Sequence, residues 1–177
     1  MKVYISGGCK NGKSMLAQSL AKKLAGDAPL YYIATMIPHD SEDNARIAKH
    51  LEDRAGWGFE TLEQGTDLLK CLESGDANGT FLLDSVTALV QNEMFQEEKI
   101  DLTAGRRVSE DMAEFAKKVK NVIMVSDYIF ADAERYDALT EEYRRALAEA
   151  DKIAKECDLV VEVLVGNYIV HKGELVL

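Results

Sequence analysis

The stretch Lys2–Ser14, KVYISGGCKNGKS, decides the fold class of this chain. It opens with a short β-rich run that stops at two glycines, and the following KSMLAQSLAKKLAG repeats apolar residues at helical spacing up to Gly26. A second β-rich run, PLYYIATM at 29–36, comes almost at once. The order of strand, glycine turn, helix and strand predicts a βαβ unit, and therefore a parallel sheet.

The glycine turn fits the phosphate-loop pattern G-x-x-x-x-G-K-[ST]. Its members are Gly7, Gly8, Cys9, Lys10, Asn11, Gly12, Lys13 and Ser14. In this pattern backbone N–H groups surround phosphate oxygens at the N-terminus of a helix, whose dipole favours an anion. We expect Lys13 to reach the β- and γ-phosphates, the Ser14 hydroxyl to bind Mg²⁺, and Lys10 to be a solvated loop residue. A chance glycine turn is the alternative, but the strand-to-helix context favours phosphate binding.

The remainder of the chain continues the alternation of strands and helices. The patterns predict helices over about 42–54, 65–74, 105–119 and 138–156, and strands over 58–63, 79–90, 121–128 and around Gly166–Asn167. A length of 177 residues suits one domain. We therefore predict an α/β fold, a single P-loop NTPase-like domain over residues 1–177 with a mostly parallel sheet flanked by helices and a C-terminal strand pair.

Asp84 ends the apolar stretch TFLLD, which is where a phosphate loop needs the acid that supports its metal ion. An Asp that only turns or caps the chain after a strand is the alternative. Regulatory GTPases recognise the base with an N-K-x-D motif late in the sheet. That motif does not occur here, since the predicted strand at that place has the sequence VIMVSDY. This absence favours kinases and nucleotidyltransferases over a signalling switch.

The charge and the cysteines limit the partners and the compartment. A formal net charge of -10 leaves no excess of Lys and Arg for binding nucleic acid or an acidic membrane. Cys9, Cys71 and Cys157 are widely spaced without a C-x-x-C pair, which indicates neither a zinc site nor a disulfide framework. No signal-peptide pattern is found, and no apolar run approaches ~18 residues. We expect a cytoplasmic protein without a membrane anchor.

The stretch ARIAKHLEDR places a histidine between two arginines. On a helix, Arg46, His50 and Arg54 share one face, which would meet solvent or a ligand, while Ile47 and Leu51 form a core-facing stripe. Two nearby guanidinium groups favour the neutral imidazole, whose lone pair can attack phosphorus. The alternative is a surface histidine among ordinary i,i+4 charge pairs, and the spacing alone favours that interpretation.

In order along the chain, GGCKNGKS, YYIAT, ARIAKHLEDR, FETLE and FLLDSVTALVQNEMF resemble the motifs of one enzyme family. It is the bifunctional adenosylcobinamide kinase / adenosylcobinamide-phosphate guanylyltransferase family of cobalamin biosynthesis. The resemblance covers residues 1 to about 95. It implies that His50 is the histidine that becomes guanylylated, and that Gly7 to Ser14 form the nucleotide-phosphate loop. The further nucleotide-site positions that it implies are Ala34, Thr35, Arg54, Glu63 and Asp84.

The same resemblance implies the reaction and its partners. ATP or GTP, with Mg²⁺ held by Ser14 and Asp84, would phosphorylate adenosylcobinamide with the help of Lys13. GTP would then guanylylate His50, which passes GMP to adenosylcobinamide phosphate. The spacing alone favours a surface histidine at position 50, whereas the resemblance favours a nucleophile. Family members assemble as homo-oligomers, and the resemblance implies a trimer.

The chain departs from the family pattern mostly downstream. VSDYIF stands where family members usually carry V-S-N-E-V-G, so Asp127 brings an acid where an amide is usual. The usual Arg-rich positions before the last strands are reduced to EEYRRALAEADK. The spacing from Arg54 to the next motif aromatic is one residue longer than is usual in the family, so that Phe59 takes the usual Trp position and Trp57 is displaced from it. These departures bear on the corrinoid side of the site or on one of the two activities. A different small-molecule P-loop kinase and a non-enzymatic nucleotide-binding regulator remain as alternatives.

Overall fold

A seven-stranded sheet covered by helices on both faces organises the described part of the chain. The computed structural model describes residues 1–38, 40, 47–48, 51–52, 54–96, 99–129 and 134–176. The strands within these residues are β1 (Lys2–Gly7), β2 (Leu30–Ala34), β3 (Glu60–Glu63), β4 (Thr80–Asp84), β5 (Phe95–Gln96), β6 (Lys99–Ile100), β7 (Asn121–Asp127), β8 (Leu159–Leu164) and β9 (Asn167–Lys172). The helices are α1 (Lys13–Ala25), α2 (Cys71–Ser74), α3 (Val86–Met94), α4 (Ala104–Lys118) and α5 (Ala138–Ala150).

The strand order brings the ends of distant segments together. The order is β3-β2-β4-β7-β1-β8-β9, and neighbouring strands run parallel except for the antiparallel pair β8 and β9. The carboxyl ends of the parallel strands therefore meet at one edge, where open α/β sheets bind their ligands. β7 lies between β1 and β4. The predicted mostly parallel sheet with a C-terminal strand pair is confirmed.

The central strands are buried on both faces. Val3 and Ile5 of β1 share an apolar cluster with Leu16 of α1. Tyr4, between them, belongs to the opposite cluster, which also contains Leu89 of α3 and residues of α4 and α5. Burial on both faces explains why these strands appear in the sequence as continuous apolar runs rather than as alternating patterns.

The apolar run over 79–90 is not one strand. β4 ends at Asp84 and α3 begins at Val86, so the prediction of a strand over the whole run is wrong. The Ser85 hydroxyl oxygen accepts a hydrogen bond from the Ala88 N–H at 3.2 Å and caps the helix. A buried helix and a buried strand can have the same apolar composition, which is why the run did not reveal the change.

Other boundaries also differ from the predictions. The segment 65–74 forms a 3₁₀ turn, Leu68–Lys70, followed by α2, and α5 passes into a second 3₁₀ segment, Asp151–Glu156. β5 and β6 pair as a short antiparallel ribbon that the sequence patterns did not indicate. Within the predicted helix 42–54, residues 47–48 and 51–52 are helical, and most of the others lie outside the described residues. None of the described helices is long and apolar enough to cross a membrane.

Candidate functional site

The phosphate-loop sequence connects β1 to α1 at the carboxyl edge of the sheet. Gly7 packs tightly against β8, since a Cβ on Gly7 would lie 2.3 Å from the Val163 carbonyl oxygen. Gly12 precedes α1 with a φ of 89°, a left-handed conformation that favours glycine. The Leu16 N–H donates to the Gly12 carbonyl at 3.1 Å and closes the first turn. The N–H groups of the residues before Leu16 have the orientation that anion binding at a helix N-terminus requires.

Lys13 points back into the loop rather than out to solvent. Its Nζ donates to the Gly8 carbonyl at 2.6 Å and lies 2.7 Å from Oδ1 of Asp127. The Lys13 side chain is 6% exposed. Cys9 and Lys10 are exposed, as expected for Lys10, and Asn11 and Ser14 are half-buried. The sequence patterns did not indicate Asp127 as a partner of Lys13.

Asp84 ends β4 at the same edge of the sheet. One of its carboxylate oxygens, Oδ2, accepts a hydrogen bond from the Tyr32 hydroxyl at 2.9 Å. Burial, and after it the Asp84 charge, raises the pKa of Tyr32 well above its ordinary value, so the phenol stays a donor. The hydrogen bond from Tyr32 thus orients the Asp84 carboxylate at the end of β4.

A cavity of about 450 Å³ opens beside Asp84, between the ends of β2, β3 and β4. The structure brings four of the predicted nucleotide-site residues together in its wall: Ala34, Arg54, Glu63 and Asp84. The rest of the wall is largely apolar, and it includes Met36, Ile37, Pro38, Ile47 and Ala88. An apolar cavity with a few convergent charged groups is the usual form of a small-molecule site.

Arg54 is buried at the side of this cavity. It is 8% exposed, and its guanidinium carbon lies 3.6 Å from the centroid of the Tyr32 ring. Phe59 meets the same ring edge-on, with the ring centroids 5.9 Å apart. The sequence left open whether Arg54 faces solvent or a ligand, and its burial excludes the solvent-facing orientation. Leu51 is 49% exposed, so its predicted place in a core-facing stripe is also wrong. Residue 54 lies in a turn, where helical periodicity no longer applies.

Thr35 is close to the cavity but turned away from it. Its hydroxyl donates to the Ser85 carbonyl at 2.9 Å and accepts from the Ser85 N–H at 2.8 Å. The side chain is fully buried. Thr35 thus fastens the end of β2 to the start of α3, and its side chain does not line the cavity with Ala34.

Asn92 is a residue that the sequence analysis missed. Its Nδ2 donates to the Thr35 carbonyl at 2.8 Å and to the Gly65 carbonyl at 2.8 Å. Gly65 lines the cavity, and a Cβ there would lie 2.5 Å from Cγ1 of Ile37. Asn92 therefore ties together two of the segments that form the cavity wall. In the stretch SVTALVQNEMF, Asn92 stands between the polar residues Gln91 and Glu93, so the sequence carried no signal that singled it out.

A second polar cluster lies on the other face of β7. Asp151 accepts hydrogen bonds from the Tyr4 hydroxyl and, at 2.9 Å, from the Ser126 hydroxyl. Burial raises the pKa of Asp151 to about 6, and the two hydrogen bonds oppose this shift. Tyr4 and Asp151 line a cavity of about 290 Å³, together with Glu162 and His171.

The family model described as cobinamide kinase / cobinamide phosphate guanyltransferase matches residues 3–170 of the chain. The chain belongs to this family. The cobinamide kinase / guanyltransferase family consists of bifunctional transferases of cobalamin biosynthesis, so the expected family and enzyme class are confirmed. No curated protein sequence matches the chain significantly.

Solved structures agree on the fold. A KaiC-like protein from Pyrococcus horikoshii OT3 is similar with a TM-score of 0.54 and 12% identity, over 97% of this chain and 78% of that chain. A DnaB-like replicative helicase is similar with a TM-score of 0.52 and 12% identity, over 90% of this chain and 46% of that chain. These likenesses support the P-loop NTPase-like fold and carry no information on substrate.

The remaining predicted residues of the cobinamide kinase / guanyltransferase site are His50 and its neighbour Arg46. Both lie outside the described residues. Ile47, in the same sequence motif, lines the cavity together with Arg54. The role of His50 therefore stays a prediction, as do the nucleotide roles of the loop and cavity residues.

The predicted Mg²⁺ site rests on Ser14 and Asp84. The described residues contain no group of three or more His, Cys, Asp or Glu side chains that could hold a metal ion by themselves. Mg²⁺ that accompanies a nucleotide uses one or two carboxylates together with phosphate oxygens and water. A hydroxyl in the first turn of α1 and one oriented carboxylate at the end of β4 are donors of the type that such an ion takes.

Proposed function

We propose that the chain phosphorylates adenosylcobinamide with a nucleoside triphosphate and then transfers GMP from GTP to adenosylcobinamide phosphate. The observation that carries the proposal is the convergence of Ala34, Arg54, Glu63 and Asp84 on one cavity at the edge of the sheet that also holds the phosphate loop. Family membership supports the two activities.

In the kinase step the acceptor hydroxyl attacks the γ-phosphorus, the bond from that phosphorus to the β-phosphate oxygen breaks, the nucleoside diphosphate leaves, and the hydroxyl proton passes to solvent. Lys13 balances negative charge on the phosphates, supported by its buried position at the loop. Ser14 and Asp84 are the residues that would hold Mg²⁺, which supplies further charge compensation. The Tyr32 hydrogen bond keeps Asp84 oriented for this task.

In the guanylyl step an imidazole nitrogen of His50 attacks the α-phosphorus of GTP, and pyrophosphate leaves. A phosphate oxygen of the corrinoid then attacks the same phosphorus, and the bond to His50 breaks. The covalent intermediate divides one difficult displacement into two easier ones. The position of Ile47 in the cavity wall and the buried guanidinium of Arg54 support a site for the α-phosphate there.

The covalent step is tested with GTP labelled at the α-phosphorus, in the presence of Mg²⁺. We expect label on the protein that is acid-labile and base-stable, as for a phosphoramidate. His50→Ala should abolish it, whereas His171→Ala, which removes an exposed histidine of β9, should retain it. Label retained in His50→Ala would refute the nucleophile assignment.

The kinase step is tested with triphosphates labelled at the γ-phosphorus and adenosylcobinamide. Lys13→Ala should lower the rate at least about 100-fold, because a group that stabilises developing charge is removed. ATP and GTP are compared in parallel, so that the assay also identifies the phosphoryl donor. Turnover of another acceptor but not of the corrinoid would favour a different small-molecule kinase, and tight binding without turnover or covalent label would favour a regulator.

The homo-oligomer, a trimer by resemblance, and the cytoplasmic location belong to the same proposal. Tyr168, Ile169 and Val170 of the edge strand β9 are each more than two-fifths exposed, which supports contact with another subunit. Sedimentation equilibrium of the full chain tests the assembly, and a monomer at micromolar concentration would contradict it.

A further inference from the structure

Asp127 neutralises the positive charge that the phosphate loop offers to an anion. Its Oδ1 lies 2.7 Å from Nζ of Lys13, and it is 26% exposed, whereas Lys13 is 6% exposed. The register of the sheet sets this pair, because β7 runs beside β1 and places Asp127 opposite Gly7. The Lys13 ammonium is thus paired with a carboxylate of the chain itself.

A triphosphate that binds to Lys13 has to share it with this carboxylate. A phosphate bound at Lys13 would lie close to the Asp127 carboxylate. Two negative charges this close repel strongly where the protein lowers the effective dielectric constant. The nearby Tyr143 phenol adds no charge, because burial and then Asp127 raise its pKa to about 12. The loop therefore offers a nucleotide less positive charge than its sequence suggests.

We propose that Asp127 is a specificity-determining residue that makes the site select metal-complexed nucleotide over free nucleotide. A divalent cation on the phosphates lowers the negative charge of the ligand and so lowers its repulsion with Asp127. A free triphosphate keeps its full charge and meets that repulsion directly. The inference rests on the proposed nucleotide binding at Gly7 to Ser14, and it adds electrostatic exclusion of the free nucleotide by Asp127 to the Mg²⁺ binding expected of Ser14.

The substitution Asp127→Asn isolates the charge. The backbone N–H of Asp127 donates to Oγ1 of Thr87 at 2.9 Å, and the N–H of Tyr128 donates to the Gly7 carbonyl at 2.9 Å. Neither hydrogen bond involves the carboxylate, so the segment keeps its position. An Asn side chain still offers Lys13 an oxygen acceptor.

The test is calorimetric titration of the full chain with the β,γ-imido analogues of GTP and ATP, each with excess Mg²⁺ and again with EDTA. The quantity compared is the ratio of the Kd in EDTA to the Kd in Mg²⁺. We expect Asp127→Asn to lower this ratio at least about 10-fold, equivalent to about 1.4 kcal/mol, chiefly through tighter binding in EDTA. The control Glu114→Gln removes the same charge from an exposed pair with Lys118 on α4 and should leave the ratio unchanged.

Three other results would overturn either the role of Asp127 or the nucleotide site itself. A ratio in Asp127→Asn that equals or exceeds that of the parent chain overturns the inference alone. Loss of Mg²⁺-dependent binding in Asp127→Asn also overturns it, because Asp127 would then bind the metal ion. Failure of the parent chain to bind either analogue overturns the proposed nucleotide site itself. Asp127→Ser, with its fold checked by circular dichroism, is the second variant and should change the ratio in the same direction.

Discussion

The Arg54 guanidinium carbon lies 3.6 Å from the centroid of the Tyr32 ring. Tyr32 in turn donates its hydroxyl hydrogen to Asp84 at 2.9 Å. One aromatic side chain thus joins a buried cation to the proposed metal-binding carboxylate. A cation over an aromatic face contributes about 0.5–2 kcal/mol, depending on its desolvation. The position of Arg54 and the orientation of Asp84 are therefore coupled through Tyr32.

The substitution Tyr32→Phe separates these two contacts. It keeps the ring beneath Arg54 and removes the hydrogen bond to Asp84. We expect the Mg²⁺ concentration for half-maximal kinase activity to rise about 10-fold, the usual effect of losing a group that orients a metal ligand. A Mg²⁺ titration of phosphoryl transfer measures this, and an unchanged half-saturation point would refute the orienting role.

Arg54 should be needed for the covalent guanylyl label. Arg54→Gln removes the charge, and Arg54→Lys keeps the charge but loses the planar group that stacks on Tyr32. We expect the initial rate of labelling from α-labelled GTP to fall about 100-fold in the first variant and to be poorly restored in the second. Arg106→Gln, at a site 71% exposed on α4, is the matched control and should label normally.

Asn92 should stabilise the fold as well as the cavity. Asn92→Ala leaves the Thr35 and Gly65 carbonyls without the amide donor that joins them. We expect the free energy of unfolding to fall by about 1–3 kcal/mol, since partly buried acceptors lose their partner. Urea denaturation measures the change, and Gln91→Ala, at the exposed neighbouring position of α3, should change stability by less than about 0.5 kcal/mol.

The Asp151 cluster should make stability depend on pH. Burial raises the pKa of Asp151 from its ordinary value of 3.8 to about 6. The folded chain therefore holds this proton more tightly than the unfolded chain, and its stability falls as the pH rises through the interval between those values. Asp151→Asn keeps an oxygen acceptor for Tyr4 and Ser126 but does not titrate.

The variant Asp151→Asn should therefore gain stability relative to the parent chain by about 1–3 kcal/mol between pH 4 and pH 7. Urea denaturation of both chains at the two pH values measures this difference. Because both chains carry the same other titrating groups, their contributions largely cancel in the comparison. A gap between the two chains that stays constant with pH would contradict the raised pKa.

The local part of the site could be predicted from the sequence. Gly7 and Gly12 are needed by a turn whose conformation depends on a few adjacent residues, and a strand and a helix flank that turn closely enough for the pattern to be visible. The position of Asp84 could also be predicted, because it directly follows a buried apolar run. These features depend on short-range chemistry, which a single sequence contains.

The partners of these residues could not be predicted. The pairing of Lys13 with Asp127 depends on β7 lying beside β1, and strand order is not encoded in any local pattern. The burial of Arg54 depends on a turn that carries it over the ring of Tyr32. Asn92 acts through the carbonyls of two distant segments, so nothing in its immediate sequence reveals the contact.

The last two residues of β7 give the molecule a built-in pair of reporters. Ser126 contacts Asp151 on one face of the sheet, and Asp127 contacts Lys13 on the other. Because they are adjacent, their amide resonances can be linked in one step of a nuclear magnetic resonance assignment. Titration of Asp151 should shift the first resonance and nucleotide binding at Lys13 should shift the second, so neighbouring amides report two events on opposite sides of the sheet.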